Sequence, residues 1–190
     1  MEPITLTTER LRLRHFTPED AEAVHAACQN PAIQRWTTVP SPYTRHDAEF
    51  FVTRLVPEGW SNDREYAFAV EPVQGGPLLA ATSLSTRAEG VLEVGFWLAE
   101  EHRGHGYMTE SVRALAHWAF TALGCHRLLW RAEVGNVPSR AVAERAGFTV
   151  EGVERAGLVN KGTARDAWIG SLLPSDLGLP AKLPYLPYGG

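Results

Sequence analysis

The sequence predicts one α+β domain built on a mixed, mostly antiparallel sheet. Three observations point there. Apolar and polar residues alternate at the start, in LRLRHF (Leu11 to Phe16); residues 65–100 form a β-rich block; and amphipathic helix patterns flank both. No Pro/Gly/Ser-rich linker divides the 190 residues, a length that suits a single domain.

LRLRHF reads as a half-buried first strand. Thr17 caps a helix expected over about Pro18 to Cys28, ending before Pro31. Trp36 to Thr44 carries two prolines and reads as loop. RHDAEFFVTRLV then predicts a second helix with Ala48, Phe51, Val52 and Leu55 on its inner side. EYAFAVEP, PLLAATSLST and VLEVGFWLAE predict a three-strand meander, with a turn at Gly75-Gly76-Pro77. Val112, Leu115, Ala116, Ala119 and Leu123 fall at helical spacing, and Gly124 ends that helix. Arg127 to Val134 follows a helix, so it should lie parallel to the strand before it. A short helix capped by Ser139 and stopped at Gly147 comes next, followed by a closing antiparallel pair.

Composition narrows the function. The chain holds 18 basic and 22 acidic residues, a net charge of −4, which argues against a dedicated nucleic-acid binder and biases it weakly toward basic partners. Cys28 and Cys125 stand far apart with no Cys-x-x-Cys spacing, so neither a thiolate metal site nor a disulfide framework is expected. Cys125 reads as a structural thiol. His102, His105, His117 and His126 lack matched carboxylate or cysteine spacing, and no metal is expected. The charged N-terminus has no signal-peptide core, and no run reaches membrane-spanning length. A cytoplasmic protein without a membrane partner is expected.

The stretch HRGHGYMTE, His102 to Glu110, joins a strand to a helix through two glycines and an arginine. Unpaired N–H groups at a helix start and the helix dipole favour an anion there, and glycines let backbone approach it closely. It is neither a Walker loop, lacking Gly-Lys-Ser/Thr, nor a dinucleotide fingerprint, lacking a third glycine.

This stretch and NVPSRAVAERAGF together resemble the GCN5-related N-acetyltransferase (GNAT) family. Arg103, Gly106 and Met108 hold the places of its Arg/Gln-x-x-Gly-x-Gly/Ala loop, with Met108 departing from the usual small residue. Asn136-x-x-Ser139 and AERAGF match its next motif. TERLRLRHFTPEDA, EVGFWLAEEHRGHGYMTESVRAL and ARDAWIGSLLPSD fit, in order, the branch named for ribosomal-protein N-terminal acetyltransferases, over residues 7–176. Residues 177–190 form a Pro/Leu/Tyr-rich tail, a candidate interface for a homodimer.

The resemblance implies a sheet splayed between its two parallel middle strands. It implies an acyl-CoA co-substrate, acetyl-CoA by default, whose acyl group passes to a primary amine in a ternary complex. The pyrophosphate falls to the amides of Arg103, Gly104, His105, Gly106, Tyr107, Met108 and Thr109. The pantetheine falls to the strand edge at Phe96, Trp97 and Leu98, and to Asn136. Ser139 would protonate the leaving thiolate; a plain helix cap is its structural alternative. Glu93, expected among apolar neighbours with a raised pKa, is the candidate base; a solvated surface Glu is the alternative. Trp36, Tyr43 and Trp60 are candidates for an acceptor pocket or for packing over the sheet edge. The acceptor is left open among a protein N-terminus, a lysine and a small-molecule amine. A larger acyl group such as succinyl, and a non-catalytic acyl-CoA sensor or scaffold, are the competing functions.

Overall fold

A computed structural model describes residues 1–187. Eight strands form one sheet: β1 (Leu6–Thr7), β2 (Leu11–Arg14), β3 (Glu65–Pro72), β4 (Ala80–Ala88), β5 (Val91–Leu98), β6 (Arg127–Glu133), β7 (Thr149–Asn160) and β8 (Thr163–Leu172). Their order is β1-β2-β3-β4-β5-β6-β8-β7. Only β5 and β6 run parallel, as the intervening helix requires. The strands of the meander are antiparallel as expected, although β4 starts at Ala80; Leu79 just before it already donates its N–H to the Val70 carbonyl.

The helices are α1 (Ala21–Cys28), α2 (Pro31–Trp36), α3 (Arg45–Phe50), α4 (Val56–Ser61), α5 (Tyr107–Thr121) and α6 (Val137–Ala146). A 3-10 turn at Pro18–Asp20 leads into α1. α3 continues through five π-helical residues, Phe51–Leu55, into α4. The buried line is Ala48, Val52, Val56 and Trp60, whereas Leu55 is 49% exposed, which corrects the expected inner face. Residues four apart drift by about 40° per step in an α-helix; the wider π turn rotates the line back toward the core.

α6 starts three residues earlier than expected. Asn136, not Ser139, is its cap, with Asn136 Oδ1 accepting from the Ser139 N–H at 3.3 Å. α2 lies where no helix was expected. Asn30 Oδ1 accepts from the N–H groups of Ala32 and Ile33, and Pro31 takes the first helical position.

The core fills the helix-packed side of the meander. Val112, Leu115, Ala116 and Ala119 of α5 are fully buried there. Trp60, Tyr66, Phe68 and Trp118 form an aromatic cluster with ring centroids 5.1–6.0 Å apart. Past residue 176, Leu177 and Leu179 still pack on the core, while Leu183, Tyr185 and Leu186 are exposed. Residues 188–190 of the tail lie outside the described residues.

Candidate active site

β5 and β6 pair only over Val91–Val94 and Arg127–Trp130. Beyond that they part. β5 stays bonded to β4 as far as Leu98, and β6 stays bonded to β8 as far as Glu133. The inner edge of β5 at Phe96, Trp97 and Leu98 therefore faces a wedge instead of a strand. An extended chain with amide groups can pair with such an edge.

The glycine loop closes the top of this wedge. Gly104 and Gly106 have φ of +83° and +78°, values that a side chain disfavours. No heavy atom lies within 4 Å of where a Gly104 Cβ would sit. Among the described residues, none of the amides from Gly104 through Thr109 donates to another group of the chain. Met108 turns its side chain into the core, 3% exposed, so its size does not intrude on the loop and its amide stays outward. Arg103 and His105 are exposed beside these amides.

Sequence reasoning missed what holds the loop. Arg10 donates from Nη1 to the His105 carbonyl at 3.0 Å and from Nε to Glu110 Oε2 at 2.7 Å. Thr8 Oγ1 donates to Glu110 Oε1 at 2.5 Å. Burial pushes the Glu110 carboxyl up, but the donors Thr8 and Arg10 outweigh burial and leave its pKa below the ordinary value. The Arg10 guanidinium also stacks 5.0 Å from the Tyr107 ring centroid. A cavity of about 540 Å³ adjoins this clip, and Arg10, Arg113 and Arg145 face it. Arg113 and Arg145 have no carboxylate partner among the described residues.

At the far side of the wedge, Asn136 is buried, and capping uses only its Oδ1. Ser139 Oγ accepts from Trp130 Nε1 at 3.0 Å, which leaves its own hydrogen free. Glu93 does not sit among apolar neighbours, and that expectation is corrected. Its Oε2 accepts from Arg87 Nε at 2.9 Å and Arg131 Nε at 3.0 Å, while Oε1 has no partner among the described residues.

α2 spans the wedge. At its start, Asn30 contacts Glu100 and Arg103, which follow β5. At its end, Arg35 donates to both oxygens of Glu133 at 2.7 and 2.6 Å and covers the Trp36 ring at 4.2 Å. Trp36 also lies 3.6 Å from where a Gly135 Cβ would be. Trp36 therefore stands beside the wedge. Trp60 and Tyr43 do not: they are 1% and 6% exposed and enclosed in the core, with Trp60 Nε1 bonded to the Ala67 carbonyl. Both thiols are buried, and burial pushes Cys28 up to about 12 and raises Cys125, which suits inert thiols. Among the described residues no group of three or more His, Cys, Asp or Glu is placed to hold a metal.

Residues 10–149 match the family model described as acetyltransferase (GNAT) domain. A Bacillus subtilis (strain 168) protein, provisionally named ribosomal N-acetyltransferase YdaF, is 44% identical over 171 residues, covering 87% of this chain and 92% of its own. A Vibrio cholerae structure, provisionally described as a ribosomal-protein-serine acetyltransferase, matches with a TM-score of 0.83 at 25% identity, covering 92% of this chain and 100% of that one. Mycobacterium smegmatis RimJ, solved in complex with CoA-disulfide, matches with a TM-score of 0.80 at 20% identity over 94% and 92% of the two chains. At that identity the likeness is one of fold.

Proposed function

Because the chain belongs to the GNAT family of acetyltransferases, we propose that it passes an acyl group, acetyl by default, from a coenzyme A thioester directly to a primary amine. The observation that carries this reading is the row of unpartnered amides from Gly104 to Thr109, set at the mouth of a split sheet. Amides at a helix start suit a pyrophosphate. The open edge of β5 suits the amides of a pantetheine arm, and Asn136 Nδ2 is free to donate to it. Arg113 and Arg145, without a carboxylate partner among the described residues, suit a further phosphate. The residues therefore fit the whole co-substrate.

When bound, the thioester supplies an acyl carbonyl already activated for attack. The chain's own groups manage protons around it. Glu93, oriented by two arginines through Oε2, offers Oε1 to take the amine's proton through water. Ser139, oriented by the Trp130 indole, donates its hydrogen to the departing thiolate. Trp36 lines the acceptor side. The acceptor is a protein amine, in keeping with the names of the relatives, and the exposed Leu183, Tyr185 and Leu186 support the tail as a homodimer interface.

The test is release of coenzyme A thiol from acetyl-CoA in the presence of peptides with free N-termini, lysine peptides and small amines. Release that depends on one amine class is the expected result. Release that no amine accelerates, with acetyl-CoA bound, would contradict the proposal.

A further inference from the structure

A second furrow, of about 430 Å³, lies between α2 and the tip of the β7–β8 hairpin. Arg35, Lys161 and Arg165 line it, and no carboxylate does among the described residues. The nearest carboxylate, Glu133, has a side chain 9% exposed, and Arg35 occupies both its oxygens. Arg165 Nε comes no nearer to Glu133 than 4.0 Å and stays 44% exposed. Lys161 Nζ is held by the carbonyls of Gln34 and Thr37 at 2.6 and 3.0 Å, and by Asn160 Oδ1 at 3.3 Å. All three acceptors are neutral. Three cations thus stand against one carboxylate, itself turned away behind Arg35. Gathering like charges without neutralising them costs stability, and an anion in the furrow relieves it. Burial, and then the Arg35 charge, push the Lys161 pKa down, as such crowding requires.

The furrow is continuous with the transfer site. Glu133 ends β6, three residues before Asn136, and Trp36 and Gly135 meet across the join. It is open along its length, which suits an extended chain better than an enclosed small molecule. The net charge of −4 biases the whole molecule toward basic partners, but the wall facing the acceptor has the opposite sign.

We infer that the furrow selects a peptide N-terminus followed by acidic residues. The inference rests on the acyl-transfer reading for what happens to that amine, but not for its binding.

The test uses the full chain saturated with coenzyme A and three peptides: Ser-Asp-Glu-Asp, Ser-Asn-Gln-Asn and Ser-Lys-Arg-Lys. Calorimetry reads their affinities at low salt, and kcat/KM with acetyl-CoA is measured in parallel. The acidic peptide is expected to bind about tenfold more tightly than the neutral one. Arg165→Gln should remove most of that preference and Arg165→Glu should reverse it toward the basic peptide, with affinity for coenzyme A unchanged and Tm not lowered. Equal affinity for the three peptides, or a preference that survives Arg165→Glu, would overturn the inference. So would charge-selective binding of O-phosphoethanolamine without selective binding of the acidic peptide. Acetylation of all three peptides at equal kcat/KM would overturn the furrow's role and uphold acyl transfer. Selective binding of the acidic peptide with no acetylation would do the reverse.

Discussion

Glu93 shows what one side chain's surroundings decide. Alternation along β5 places it on the face shared with Gly95 and Trp97, and that much is legible from strand period alone. Its partners are not. Arg87 is six residues away across a turn, whereas Arg131 comes from β6, and only the parallel register of β5 on β6 brings it near. Glu93→Gln keeps an oxygen for the arginines and removes the proton acceptor. It should lower kcat by about 100-fold with KM for acetyl-CoA little changed. A kcat within twofold of wild type would remove Glu93 from the mechanism. The same distinction separates Trp36 from Trp60 and Tyr43. All three are aromatic residues in the first third of the chain, and residue type alone cannot tell a wall from a core. Trp60 is drawn inward by Tyr66 and Phe68 on β3 and by Trp118 on α5, a contact from far along the chain that a local pattern does not contain.

At the scale of elements, the glycine loop and its helix were readable because their physics is local: glycines at positive φ, a helix start, an arginine. The loop's support was not readable, since Thr8 and Arg10 lie about a hundred positions from Glu110. α2 escaped for another reason. Its signal is Asn30-Pro31, which serves equally to start a turn or a helix, and six residues give too little periodicity to choose. Charge-assisted hydrogen bonds contribute roughly 1.5–3 kcal/mol each, so losing the clip should loosen the loop amides. Glu110→Ala is therefore expected to raise the Kd for coenzyme A about tenfold while amine selectivity holds. An unchanged Kd would mean the loop keeps its shape without the clip.

For the whole molecule, seven of the eight strands, the parallel β5–β6 pair and the closing hairpin follow from patterns along the chain; the two-residue β1 does not. The order of the last strands does not. β7 and β8 each alternate, and nothing local says which of them joins β6. The fold resolves it by placing β8 inside, where Ala167, Gly170, Ser171 and Leu172 are buried, and leaving β7 at the edge, largely exposed. That choice extends β6 to Glu133 while β5 leans toward β4, and the wedge between them is the consequence. The central claim is that this wedge and its glycine loop form a seat for coenzyme A. Calorimetric titration of the intact protein with acetyl-CoA, succinyl-CoA and free coenzyme A tests it most directly. Micromolar binding to at least one of them, weakened by Gly106→Val, is the predicted result, and a preference among the three identifies the acyl donor. A folded protein that binds none of them would contradict the claim, and with it the roles assigned to Glu93 and Ser139.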